Sequence, residues 1–186
     1  MNKIESLINS YRNFFNIPWI DNAADADRVI FCIYNKEDER QIRFRLDEFK
    51  AITMEAGNHW CPFDLSDTFA QWIVTEKYGE KYFNKPELVS SISQYFLDFL
   101  VKQFDCLLNN NNNNDWEKSV VAIFGTASLF GFLKVNEVVE KISSCVPGRL
   151  LVFFPGSCEN NNYRLLDAYD GWNYHAKTIT GNEEFI

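Results

Sequence analysis

The sequence is poor in the residues that most often carry acid–base and metal chemistry. It contains two histidines, His59 and His175, among 186 residues. The five cysteines are scattered, odd in number and without a Cys-x-x-Cys pair; they are Cys32, Cys61, Cys106, Cys145 and Cys158. Such a set is typical of reduced thiols in a cytosolic protein, and it argues against a disulfide framework or a zinc ribbon.

Positive charge is also scarce. Lysine and arginine number 18 against 26 aspartates and glutamates, which gives a formal net charge of −8. Because nucleic-acid affinity comes largely from basic side chains that neutralise phosphates, this balance disfavours a stand-alone DNA-binding role, although a local basic patch could still form in the fold. An acidic surface is better suited to solubility or to binding a basic protein partner.

No apolar stretch is long enough to predict a membrane span. The longest uncharged stretch runs from Ser119 to Leu133, is interrupted by two glycines, and is shorter than the ~20 residues that a span needs. The start of the chain, with Lys3 and Glu5, lacks the apolar core of a signal peptide. We therefore expect a cytoplasmic protein without membrane contact.

Apolar runs of strand length alternate along the chain with amphipathic repeats of helical spacing. Runs bounded by turn residues predict strands buried on both faces, and Pro62 moves one of them to the sheet edge. The predicted strands are 28–34, 59–65, 119–124, 150–154 and 163–166. They predict an α/β fold: a mostly parallel sheet of about five strands with helices on both faces, in a Rossmann-like or P-loop-like layout without a Walker motif. The last two strands are too close for a helical crossover and should form an antiparallel hairpin.

The helices are predicted within a single domain that covers residues 1–186. A first amphipathic helix is predicted at about residues 3–16. Asn35 and Ser66 are predicted N-caps, and Asn84 is predicted to open the longest helix. The six asparagines at residues 109–114 favour turns over helix and predict a flexible loop.

The segment from Gly125 to Gly131 lies between a predicted strand and a predicted helix, where a phosphate-binding loop would lie. A Walker loop has four residues between its glycines and then Lys and Ser or Thr, whereas this segment has five and places Phe132 at the lysine position. Ser128 lacks the Gly-x-Ser-x-Gly elbow of a serine nucleophile. We interpret the segment as a tight turn packed against the sheet.

A metal site at His59, Cys61 and Cys158 has little support from spacing. His-x-Cys on a strand would place two side chains on one face, but no further ligand pair accompanies it. Free thiols more commonly pack as small hydrophobes, which is the preferred interpretation here.

The turn between Asp167 and Asp170 is the last candidate for chemistry. These carboxylates, close in sequence to Arg164, could bind a metal or act as acid and base. An Asx turn with an arginine–carboxylate pair is the preferred interpretation. Trp172 and Tyr174 belong to the core or anchor a protein partner, since exposed Trp and Tyr are typical of binding hot spots. We accordingly predict no catalytic, cofactor-binding or metal-binding residue.

The C-terminal part of the chain carries a long signature formed by Pro147–Gly156, Asn161–Ala168 and Asp170–Tyr174. In these residues the chain resembles the BrxB family of the BREX (bacteriophage exclusion) defence systems. The resemblance extends upstream to Ala127–Phe132, Asp64–Leu65, Phe69–Ala70 and Tyr34–Arg40, and thus covers nearly the whole chain. The asparagine run at residues 109–114 departs from the family pattern.

The resemblance implies a role in antiviral defence and phage resistance, without a family reaction or catalytic residue to transfer. We expect a non-enzymatic adaptor or scaffold that acts by protein–protein interaction and requires no cofactor. The expected partner is a PglZ-like protein of the alkaline-phosphatase superfamily, with the BREX ATPase and methyltransferase as further candidates and DNA contacted at most indirectly. The predicted partner-binding residues are Asn161, Tyr163, Arg164, Asp167, Asp170, Trp172 and Tyr174. The alternatives are a degenerate nucleotide-binding or nuclease-like enzyme domain and a DNA-contacting subunit.

Overall fold

The computed structural model describes residues 2–19, 24–110, 115–169 and 171–181. The α-helices are α1 (Lys3–Phe15), α2 (Glu39–Phe44), α3 (Leu46–Glu55), α4 (Thr68–Ile73), α5 (Gly79–Asn84), α6 (Val89–Asn110) and α7 (Val135–Ser143). The strands are β1 (Val29–Tyr34), β2 (His59–Asp64), β3 (Ser119–Phe124), β4 (Arg149–Glu159), β5 (Asn162–Leu165), β6 (Trp172–Asn173) and β7 (Lys177–Thr180). None of the described helices is long and apolar enough to cross a membrane.

Five parallel strands form the main sheet in the order β2-β3-β4-β1-β7. The apolar run Val29–Tyr34 becomes the inner strand β1, buried at every residue, with Phe31 beside Val152 of β4 on one side and Thr178 of β7 on the other. Pro62 lies in β2, which is an edge strand as predicted. The predicted mostly parallel α/β sheet is confirmed.

Helices cover both faces of this sheet, because successive side chains of each buried strand point in opposite directions. Ile30 and Cys32 of β1 pack with apolar residues of α1 and α3. Val29, Phe31 and Ile33 pack on the other face with residues of α4, α6 and α7. The two cores together explain why the middle of each central strand is apolar, while the buried polar residues Ser119 and Arg149 are the first residues of β3 and β4.

Strand β4 is longer than the predicted 150–154, because it continues through Pro155 and Gly156 into a second, antiparallel ladder. A Cβ on Gly156 would lie 2.1 Å from the carbonyl oxygen of Arg164, so the missing side chain permits the close pairing with β5. Asn160 and Asn161 connect β4 to β5 and both adopt left-handed φ angles, which suits the twist of a two-residue hairpin. The predicted C-terminal hairpin is confirmed.

Several helix boundaries differ from the prediction. Asn84 is the last residue of α5 instead of the first of the longest helix, which begins at Val89 after a 3-10 turn. Ser66 does not cap α4, because its hydroxyl donates to the carboxylate of Asp64. Helix α6 extends to Asn110, so the first two asparagines of the predicted loop are helical, and residues 111–114 lie outside the described residues. Each asparagine destabilises a helix by less than about 1 kcal/mol relative to alanine. Packing of the apolar face of α6 stabilises the helix enough to include two asparagines at its end.

Candidate protein-binding surface

The C-terminal segment that carries the family resemblance folds into β5, a turn and the short strand β6. The inward-facing residues of β5 are Tyr163 and Leu165, both buried, while Arg164 between them is exposed. β6 pairs antiparallel with β5 and places Trp172 beside Tyr163. The predicted partner residues are therefore divided between the core side and the solvent side of one small sheet.

Tyr163, a predicted partner contact, has no exposed surface. Its ring centroid lies 4.6 Å from that of Phe31 and 4.9 Å from that of Trp172. Burial raises the pKa of its phenol, and the nearby Cys158 thiol acts in the same direction. Because the ring is enclosed, Tyr163 supports Trp172 from below and cannot itself touch a partner.

Trp172 and Tyr174 are half-buried members of the same aromatic cluster. The Trp172 ring also lies 6.0 Å from Phe154 and 6.0 Å from Tyr174, in edge-on contacts. The backbone N–H of Tyr174 donates to the carbonyl of Asn161 at 3.2 Å. These rings expose part of their surface, but most of their contacts are structural.

Three residues of the predicted set are exposed: Arg164 on β5, and Asn161 and Asp167 in the turns at its two ends. The stem of Arg164 passes over Gly171, where a Cβ would lie 3.0 Å from Arg164 Cγ. Asp170, also a predicted partner residue, lies outside the described residues. Among the described residues of the predicted set, Asn161, Arg164 and Asp167 are thus the most accessible to a partner.

The turn after β5 brings a further aromatic side chain to this surface. Leu166 and Asp167 have φ angles of 54° and 59°, and the N–H of Ala168 closes the turn by donating to Leu165 O at 3.0 Å. The next residue, Tyr169, is fully exposed. The prediction from sequence omitted Tyr169, although a tyrosine inside the polar turn Asp167–Gly171 was a usable signal.

The turn is tied to the main sheet at two points. The N–H of Leu166 donates to the carbonyl of Pro155 on β4 at 2.8 Å. Lys36, which begins the 3-10 helix after β1, donates from Nζ to the carbonyl of Leu166 at 3.2 Å and pairs with the Asp167 carboxylate at 3.2 Å. The exposed residues therefore project from a turn attached to β4 and to the segment that follows β1.

A groove of about 330 Å³ with a mixed polar and apolar lining lies beside Trp172. It is lined by Leu165 and Trp172, by the segment 130–134, by Val135 and Glu137 at the start of α7, and by Ser93 of α6. Phe130 at its border is 48% exposed. A large side chain left in water next to a groove is typical of surfaces that bind other proteins.

A second group of polar side chains lies at the carboxyl end of the main sheet. Arg43 of α2 donates to the Glu39 carboxylate at 2.7 Å and to the Ser66 hydroxyl at 2.6 Å, and lies 3.6 Å from the Asp64 carboxylate. Burial acts to lower the pKa of Arg43, but the hydrogen bond and charge of Glu39 outweigh it, so that the pKa is raised. Gly125 lies against this group, in a left-handed conformation.

The rejected phosphate-loop segment begins at Gly125 and forms a 3-10 helix over Thr126–Leu129. The hydroxyl of Ser128 donates to the carbonyls of Leu65 and Gly125, at 2.8 and 2.7 Å. Thr126 is buried and donates to the carbonyl of Phe153 at 2.8 Å. These side chains hold the segment against the sheet, which agrees with the interpretation as a packed turn.

A cavity of about 210 Å³ also lies at this end of the sheet, between the ends of β1, β4 and β7. After β1 the chain continues to α2 and α3 on one face of the sheet, whereas after β4 it covers the opposite face. In parallel sheets, ligands commonly bind where the connections of two neighbouring strands leave in opposite directions. Its polar lining includes Asn35, Asp38 and Ser157.

The residues considered for a metal site are dispersed. His59 is exposed on β2, Cys61 is buried in the core, and Cys158 is half-buried on the extension of β4. Within the described ranges, no group of three or more His, Cys, Asp and Glu side chains is placed to hold a metal ion.

The chain was also compared with known proteins. Protein-family models, curated proteins and solved structures gave no match. The structure and these comparisons leave the resemblance to BrxB as a prediction from the sequence.

Proposed function

We propose that this chain is a non-enzymatic adaptor in a BREX anti-phage complex and that it binds a PglZ-like protein. The biological setting and the partner are taken from the resemblance of the C-terminal residues to the BrxB family. Binding through the C-terminal turn is argued from the surface that those residues form. The proposed contact residues are Asn161, Arg164, Asp167 and Tyr169, with Trp172 at the border.

The observation that carries the proposal is the full exposure of Tyr169 next to a turn that is tied to β4 and to Lys36. Tyrosine offers a large contact area at a small loss of side-chain freedom, and it is enriched among hot-spot residues. Holding the backbone in place before binding lowers the entropy that association must overcome. The turn therefore has the properties of a preorganised protein contact.

Charge on the same surface supports a protein partner. Arg164 and Asp167, both exposed, place charges of both signs within five residues of Tyr169 in the chain. Rim charges of this kind contribute mainly to partner selection and association rate, while the aromatic anchor contributes most of the affinity. A partner that extends across Trp172 would also contact the groove beside it, which enlarges the contact area.

Co-purification tests the proposal. A tagged form of the chain is expressed together with the PglZ-like protein from the same genome, and recovery of a complex of defined stoichiometry is expected. An unrelated acidic protein carrying the same tag serves as the control. If the PglZ-like protein is recovered equally with the control, the adaptor proposal is wrong.

The cavity at the carboxyl end of the sheet favours a second candidate, binding of a small ligand by a degenerate enzyme domain. At about 210 Å³ it is smaller than the roughly 300–1,000 Å³ of drug-sized sites, so it suits a small polar molecule better than a whole nucleotide. Thermal unfolding with and without inorganic phosphate as a small polar probe, and with and without Mg·ATP, together with a nuclease assay, tests the enzyme alternative. Saturable stabilisation by either ligand would favour it over the adaptor.

A further inference from the structure

The contacts of Lys36 support one inference about how the proposed binding surface is held. Lys36 lies two residues beyond the end of β1 and reaches the turn after β5, 130 positions later in the chain, through two separate contacts. One contact is to the backbone carbonyl of Leu166, and the other is to the carboxylate of Asp167. A single side chain thus fixes both central residues of the turn.

The turn needs such support because its backbone is unfavourable for its sequence. Left-handed φ is common for glycine and tolerated by asparagine and aspartate, but it is an outlier for a bulky residue such as Leu166. The Leu166 side chain packs partly against the core, which favours the turn, while the backbone conformation opposes it. A modest contact at the surface then has a large influence on how often the turn opens.

We propose that Lys36 is a positioning residue, an ionic latch that keeps the Leu166–Asp167 turn closed and so holds Tyr169 in its exposed position. Its role in partner binding rests on the proposed function. The latch itself is a property of the free protein. The side chains of Lys36 and Asp167 are 41% and 46% exposed. Because water and salt reach this ion pair, added salt should weaken it.

The latch is tested by amide hydrogen exchange of the free protein, measured by mass spectrometry on a peptide that covers residues 164–169. In Lys36→Met, which keeps an apolar stem but removes the ammonium group, the amides of 166–168 should exchange about fivefold faster. Asp167→Asn keeps a residue that tolerates left-handed φ and the carbonyl contact, so a smaller increase is expected. Lys50→Met, a matched change at an exposed lysine of α3, should leave this peptide unchanged.

Salt provides a readout that a general loss of stability would not reproduce. Raising NaCl to about 1 M should speed exchange of the 166–168 amides in the wild-type chain and have little further effect in Lys36→Met. Equal exchange in the wild type and Lys36→Met at low salt would overturn the latch, whether or not a partner binds.

Binding to the purified PglZ-like protein tests the positioning role. A Kd raised about fivefold by Lys36→Met, with Lys50→Met unchanged, is the expected result. Faster exchange without any change in Kd would overturn the positioning role. If the wild-type chain does not bind at all, the proposed function fails, and the latch is then decided by the exchange measurement alone.

Discussion

The ring of Trp172 is stacked on the ring of Tyr163, with centroids 4.9 Å apart and planes inclined by 16°. Tyr163 is enclosed by the core, whereas Trp172 is half-exposed. This pair joins the small C-terminal sheet to the main sheet through Phe31. Tyr163 and Trp172 therefore serve the fold first, and a partner would meet mainly the residues around them.

Replacing Trp172 should test this division directly. Trp172→Ala is expected to lower the free energy of unfolding by about 2 kcal/mol, because it removes ring contacts with Tyr163 and Phe31. Trp172→Phe should lose less. Urea denaturation measures both, with Tyr169→Ala as a control expected to stay within about 0.5 kcal/mol of the wild type. Equal losses for Trp172→Ala and Tyr169→Ala would contradict the structural role of the tryptophan.

Gly57, which precedes β2, provides a matched control for Gly125, which follows β3 at the carboxyl end of the sheet. Both have left-handed φ angles, 75° and 81°, so an alanine at either position is strained by about 1–2 kcal/mol. A Cβ at Gly57 would meet nothing within 4 Å, whereas at Gly125 it would lie 2.6 Å from Ser66 Oγ and 2.8 Å from Arg43 Nη2. Gly125→Ala should therefore lower the unfolding free energy clearly more than Gly57→Ala. Equal losses, measured by thermal unfolding, would show that the polar group around Arg43 yields without cost.

We predict that the buried thiol of Cys32 makes the protein less stable at alkaline pH. Burial raises the pKa of its thiol in the folded protein, while in the unfolded chain the thiol titrates near pH 8.5. Above about pH 8.5 the unfolded state therefore releases a proton that the folded state retains, so the unfolding free energy should fall by up to about 1.4 kcal/mol per pH unit. Below that pH the contribution of Cys32 is constant.

The measurement compares denaturant unfolding of the wild type and Cys32→Ala between pH 7 and pH 10 under reducing conditions. The slope above about pH 8.5 should be shallower for the variant. Tyr11 and Tyr34, whose pKa values are also raised chiefly by burial, add to the loss only above about pH 10. Parallel curves for the two proteins across pH 8.5–10 would contradict this assignment.

The strands that could be predicted from sequence are those whose residues are nearly all apolar and therefore must be buried on both faces. The apolar runs of β1 and β3 are enclosed by helices on both sides, and their predicted bounds match the structure closely. Strand β7 was not predicted, because its sequence Lys177–Thr180 has one buried apolar residue, Ile179, and depends on pairing with β1 far away in the chain. Local sequence carries little information about such a pairing.

The candidate surface shows the same limit at the level of single side chains. Sequence identified the segment that contains Arg164 and Asp167, but not which of its aromatic residues face water. Tyr163 points inward because β5 alternates and pairs with β4, and Tyr169 points outward because a left-handed turn at Leu166 redirects the chain. Leucine gives no sequence signal for left-handed φ, so this turn could be found only in the structure.

The most direct test of the proposed function is the affinity of the purified chain for the PglZ-like protein, measured by calorimetry for the wild type, Tyr169→Ala and Tyr95→Ala. Tyr95 is a matched control, since it is also largely exposed, at 65%, but lies on α6. The proposal predicts that Tyr169→Ala raises Kd by about 30-fold, the effect of a hot-spot residue of about 2 kcal/mol, while Tyr95→Ala leaves it within about twofold. Equal Kd values for the wild type and Tyr169→Ala, or no binding by the wild type, would contradict it.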